Sequence, residues 1–206
     1  MRYVWSLFVA LSVVGVSACA EAQPQSHPLD IQDSDRVMGA ADAPVTVVEY
    51  ASLTCAHCAS FHEEKMPQIK AEYIDTGKVK FVLRDMPWDN IALAAAKIAR
   101  CADDEQYYSY IDAFFGNVDT WARAQNPLVE LKRIARLGGM SSEEVDSCLA
   151  DTTLHQQILE TKRVGLEVLG VQATPTVFVG KEASVSGNQS WDVFANAIDE
   201  ALAQAN

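Results

Sequence analysis

The sequence is short of positive charge: 16 Lys and Arg stand against 28 Asp and Glu, a formal net charge of -12 over 206 residues. That balance argues against nucleic acid as a partner and against a basic patch held on anionic lipid, since both would repel the chain. No Gly-rich phosphate loop and no internal repeat is present, and low complexity is confined to one polar stretch near the N-terminus. A second Cys-x-x-Cys is also missing, and dedicated metal cages usually need one. The length suits one domain with an insertion, large enough to bury a real core.

What the sequence does have is Thr54-Cys55-Ala56-His57-Cys58, placed where a strand gives way to a helix. Residues 45–50 (VTVVEY) form a β-branched, apolar run that reads as a buried strand. From Cys55 the pattern turns helical, with Cys55, Cys58, Ala59, His62 and Met66 on one side. A helix N-terminus gathers unpaired N–H groups and the positive dipole end, so a thiolate at Cys55 is stabilised. His57, as a donor or a cation, would add to this, and Cys58, one turn further in, would be the more buried, resolving thiol. A stabilised thiolate favours the reduced form and makes the disulfide an oxidant.

Two distant features agree. Residues 170–180 read as a turn, then Thr174-Pro175, then a β-branched strand, and a cis bond there would bring the loop close to the sulfurs and offer a backbone edge to an extended peptide. Glu49 is an acid within an apolar strand, six residues before Cys55; burial would raise its pKa and let it exchange a proton with Cys58.

Together these elements resemble the thioredoxin superfamily, and within it the DsbA-like thiol oxidoreductases, from about residue 42 to the C-terminus. The resemblance implies an α/β thioredoxin fold with a helical insertion between its βαβ and ββα halves, here at about 88–165. It also implies Cys55 as the attacking cysteine, Cys58 as the resolving one and a cis Pro175. Many relatives carry Pro after the first Cys where this chain has Ala56, a departure that bears on redox potential rather than on activity class.

Residues 1–18 read as an export signal with one basic residue, Arg2, and an apolar stretch too short and weakly flanked for a stable span. Val16-Ser17-Ala18-Cys19 resembles a bacterial lipobox that would acylate Cys19 and anchor the protein to a membrane; ordinary cleavage and soluble export is the alternative. Residues 19–41 are expected to be a flexible tether. Setting Cys19 aside leaves four of the five cysteines, an even number for an oxidising compartment. Cys101 and Cys148 are then expected to form a structural disulfide worth roughly 3 to 5 kcal/mol, the alternative being two buried free thiols.

The helices of the insertion are expected to be capped by Asn90, by Asn126 before Pro127, and by Ser141 with Glu144. His62 reads as a surface residue. Trp88, Trp121 and Tyr107, Tyr108 and Tyr110 read as core or insertion surface more than as a substrate site, though an apolar groove for unfolded clients could draw on them.

The expected function is a monomeric, periplasmic oxidoreductase that introduces disulfides into reduced or unfolded exported proteins and is recharged by a membrane or periplasmic redox partner, with no cofactor. A reductase or isomerase is the nearest rival, disfavoured because isomerases of this superfamily usually carry an N-terminal dimerisation domain. Rivals from other classes are a metal-binding protein using Cys55, Cys58 and His57 or His62, and a redox-silent chaperone.

Overall fold

The computed structural model describes residues 27–205. The export signal, the lipobox and Cys19 therefore lie outside the described residues.

The central sheet is built on the apolar run at 45–50 and on a second one that forms β3. Strand β2 (Val45–Ala51) pairs in parallel with β3 (Val79–Asp85), and all but one residue of each is buried. β4 (Thr176–Val179) runs antiparallel to β2 on its other side, and β5 (Ala183–Ser186) is antiparallel to β4. A short strand, β1 (Val37–Met38), pairs antiparallel with β3, giving the order β1-β3-β2-β4-β5. β2 thus has a neighbour on each side, and its side chains are covered on both faces. This is the thioredoxin arrangement the sequence implied, a βαβ half and a ββα half sharing one sheet.

Helix α1 (Ala56–Glu64) follows β2 directly. A short α2 (Met66–Ile69) carries Pro67 in its first turn and continues into a π-helical turn over Lys70–Ile74, closed by Gly77 at φ +74°. After β3 come α3 (Asn90–Cys101), α4 (Asp104–Phe115), α5 (Val118–Trp121), α6 (Pro127–Leu137), α7 (Ser142–Ala150) and α8 (Thr152–Arg163), the last running into a second π turn over Val164–Val168. This is the helical insertion. Its core holds Trp121, Tyr107 and Phe114, all fully buried, and the C-terminal α9 (Trp191–Ala205) packs Phe194 against Phe61 of α1.

Caps follow the sequence with one change. Asn126 accepts from the Val129 N–H with Pro127 in the first turn, and Ser141 with Glu144 forms a reciprocal capping box. The cap of α3 is Asp89, not Asn90: its carboxylate accepts from the N–H groups of both Ile91 and Ala92, which a charged acceptor one residue earlier does better. Cys101 at the end of α3 and Cys148 in α7 are bonded, with Cα atoms 6.1 Å apart across a sequence separation of 47. Closing a loop of that length stabilises by about 4 kcal/mol in the chain-entropy account.

The expected flexible tether out to residue 41 is corrected from His27 onward, because these residues pack on the domain. Arg84 emerges from β3 into a buried position, and a buried cation needs a counter-charge and filled donors. Its guanidinium takes the Asp35 carboxylate at 2.7 and 3.1 Å and the carbonyls of Pro28 and Asp30 at 2.6 and 2.8 Å. Leu29 fills an apolar site made by Val48, Tyr50, Val82 and Met86. The polar composition of this stretch hid one apolar plug and one acid with a fixed partner.

Candidate active site

Cys55 is the N-cap of α1. Its backbone is extended (φ -83°, ψ 116°), and its sulfur takes the place usually filled by a Ser or Asp oxygen, accepting from the Cys58 backbone N–H at 3.4 Å. No acidic residue lies in the first turn, so nothing there opposes a thiolate. The residue before it is held in place, since the Thr54 hydroxyl donates to Asp89, the cap of α3, at 2.6 Å.

The loop opening β4 reaches the same sulfur. The Thr174–Pro175 peptide is cis. The carbonyl oxygen of Thr174 lies 3.3 Å from Cys55 Sγ, where it accepts from the thiol form. The strand that follows pairs with β2 from Tyr50 back to Val47, so loop and helix end are fixed to the same strand.

The two thiols are free and pulled apart in acidity. Cys55 is lowered to about 5. The largest cause is a hydrogen bond from the Cys58 side chain; the Thr174 side chain and the backbone N–H groups of Cys58 and His57 add to it, against an opposing effect of burial. Cys58 has no exposed surface, and it is pushed well above an ordinary thiol, first by burial, then by its bond to Cys55 and the nearby charge of Glu49. One thiol is thus a half-exposed nucleophile that is charged at neutral pH, the other a protonated reserve beneath it.

His57 is exposed, and what it gives Cys55 is its backbone N–H. Glu49 is fully buried in β2 between Leu83 and Val177. The expectation that His62 lies at the surface is corrected: it is 8% exposed, on the inner face of α1, with Nε2 2.7 Å from Glu49 Oε2. Its spacing of four from Cys58 puts it one turn below that sulfur, and the buried acid gives its polar ring a partner.

The aromatic residues divide. Trp121, Tyr107 and Tyr110 are core, and Tyr108 is held at the edge of β3 by its hydroxyl. Trp88 is different. It is 44% exposed, its indole N–H donates to the Thr174 hydroxyl at 3.0 Å, and the Lys162 ammonium lies 5.1 Å from its ring centre. With its oxygen taken up by Trp88, the Thr174 hydroxyl keeps its proton free for Cys55, so Trp88 belongs to the site. Beside Cys55, a cleft of about 330 Å³ is lined by Thr54, Ala56, Asp89, Ile91, Val118 and Ala122 among others. Among the described residues, no cluster of three or more His, Cys, Asp or Glu side chains is arranged to hold a metal ion.

The family model described as Thioredoxin matches residues 32–200. Wolbachia pipientis alpha-DsbA1 is 32% identical and superposes with a TM-score of 0.80, covering 86% of this chain and 95% of that one. A Rickettsia felis protein named "Putative protein-disulfide oxidoreductase" is 32% identical over 183 residues, 88% of this chain; this chain spans 65% of that protein's length. Bacillus subtilis "Disulfide bond formation protein D" is 25% identical over 175 residues, 81% of this chain and 76% of that one. In sequence and in fold, the chain belongs to the thioredoxin family, as one of its DsbA-like members.

Proposed function

We propose that this protein is a thiol-disulfide oxidoreductase that acts outside the cytoplasm and passes its Cys55–Cys58 disulfide to reduced exported proteins. The observation that carries this reading is the split between the two thiols: a half-exposed Cys55 lowered to about 5 above a buried Cys58 that is pushed up. A couple whose reduced form holds a stabilised thiolate gives up its disulfide readily. The names of the relatives point the same way, and the readings of residues 1–18 and Cys19 support export, with a lipid anchor to a bacterial membrane as its expected form.

In the oxidised protein a client thiolate attacks Cys55 Sγ, the accessible sulfur, and forms a mixed disulfide. Cys58 leaves as a thiolate and takes up a proton. A second client thiolate attacks the client sulfur of the mixed disulfide and expels Cys55, which leaves well because its thiolate is stabilised. The client has lost two electrons, and the protein holds a Cys55 thiolate and a Cys58 thiol. A disulfide-bearing or quinone-coupled redox partner then restores the disulfide by the reverse order of attack, with Cys58 resolving.

Mixing the oxidised protein with an unfolded, reduced client tests this. One client disulfide is expected for each Cys55–Cys58 pair reduced, without added oxidant. If instead only the reduced protein acts, by opening client disulfides, the protein is a reductase or isomerase.

A further inference from the structure

The residues between β3 and α3, 86–89, reach both sides of the reactive cysteine. Trp88 donates its indole N–H to the Thr174 hydroxyl at 3.0 Å, and Thr174 brings its carbonyl within 3.3 Å of Cys55 Sγ and its hydroxyl to the thiolate. Asp89, the next residue, accepts from the Thr54 hydroxyl at 2.6 Å, and Thr54 directly precedes Cys55. The backbone at Asp89 is extended (φ -143°, ψ 169°), which turns adjacent side chains to opposite sides. One arm therefore reaches the cis-proline loop and the other the start of α1.

The span between the arms is stiff. Met86 donates its N–H to the Ala51 carbonyl at 2.7 Å, tying the loop to the end of β2. Pro87 fixes its own φ and holds Met86 extended. The other carboxylate oxygen of Asp89 accepts from Ile91 and Ala92, so α3 holds the far end. Lys162, in the last turn of α8, is half-buried. Its ammonium donates to the Pro87 carbonyl at 2.6 Å and lies 5.1 Å from the centre of the Trp88 ring. A lysine usually keeps its head in water; here a carbonyl and a ring face hold the cation on the loop.

We propose that residues 86–89 are a clamp that sets the gap between the cis-proline loop and the start of α1, locked by Lys162, so that Lys162 and Asp89 are positioning residues that act on Cys55 through Trp88 and Thr54. The clamp rests on the exchange function proposed above, in which Cys55 is the attacking and leaving sulfur. While the gap is held, the Thr174 hydroxyl meets the thiolate that each round of exchange sets free. When it widens, that bond is lost and the thiolate keeps only its helix-end partners and water. The other titratable or charged groups about Cys55 are His57 and Cys58 on α1, and Asp119 and Arg123, which line the cleft beside it and pair with each other at 2.9 Å.

The pH midpoint of Cys55 alkylation, in the reduced protein with Cys101–Cys148 intact, reads the clamp. Lys162→Met keeps a stem on the Trp88 ring and removes the ammonium. Thr54→Val removes the donor to Asp89 and leaves the cap of α3 in place; both changes nearly conserve side-chain volume. Each is expected to raise the midpoint by about half a unit, and the shift is expected to persist in about 1 M salt, where direct charge effects on a half-exposed sulfur are screened. Lys162→Met added to Trp88→Phe is expected to move the midpoint no further than Trp88→Phe alone, because its effect passes through that ring. An unchanged midpoint in either single variant, a shift that salt abolishes, or additive shifts from Lys162 and Trp88 overturn the clamp alone. A wild-type midpoint near the free-thiol value of 9.0 overturns the basis of the exchange function and the clamp with it.

Discussion

Cys55→Ala is expected to abolish disulfide transfer to a reduced client, a loss of more than about a thousandfold, as removal of a sole nucleophile generally gives. The remaining thiol cannot substitute. Cys58 has no exposed surface and is held protonated by burial, so it presents neither the atom nor the charge that exchange requires. Cys58→Ala should fail differently. It removes the Cys58 side-chain bond to Cys55 but leaves that sulfur half-exposed at the helix end with its Thr174 and backbone N–H partners, so the variant is expected to form mixed disulfides with oxidised clients and to keep them, since the resolving sulfur is gone. Residual transfer by Cys55→Ala within tenfold of wild type would contradict the assignment. Client binding that survives undiminished in a protein whose wild type transfers no disulfides would mark a chaperone.

The second large effect concerns pH. Alkylation of Cys55 in the reduced protein is expected to be nearly independent of pH above about 6 and to fall with a midpoint near 5, the position set by the Cys58 bond, Thr174 and the helix-end N–H groups. Stability follows from the same shift. The folded-state pKa lies below the value of 9.0 for a free thiol. Its contribution to the reduced protein is therefore complete above about 9, declines as pH falls, and is gone below about 5. The oxidised protein has no such group, so the stability difference between the two forms should narrow across that window; thermal unfolding of both forms from pH 4 to 9 measures it. Trp88→Phe, which removes the donor to Thr174, is expected to move the alkylation midpoint upward by less than one unit. A midpoint near 9 in the wild type would leave the oxidant reading without its physical basis.

Much of this site was legible because its chemistry is local. The apolar run at 45–50, the cysteine spacing and Thr174-Pro175 each carry their own physical signature, and the order of the three implies the sheet that joins them. His62 and Trp88 were misread because their partners are distant in sequence. A histidine in a helix reads as solvated until Glu49, thirteen residues earlier, is seen to face it. Trp88 reads as filler until the fold brings Thr174, 86 residues later, to its indole N–H. Residues 27–41 read as a linker for a related reason: Arg84, next to last in β3, is the sign that something acidic must cover it, and Asp35 lies in a stretch whose polar residues and Pro28 resemble a linker.

The most direct measurement is the equilibrium potential of the Cys55–Cys58 couple against glutathione, with Cys101–Cys148 intact. At neutral pH the lowered Cys55 stabilises the reduced form, which raises the potential by a few tens of millivolts after allowance for solvent screening at a half-exposed group; the bonds from the cis-proline loop and the raised Cys58 act on the same couple. The expected result is a potential well above the thioredoxin value of about -270 mV. A potential at or below that value would contradict the account, make the protein a reductase or isomerase, and turn attention to Ala56, the residue between the cysteines that departs from the common pattern.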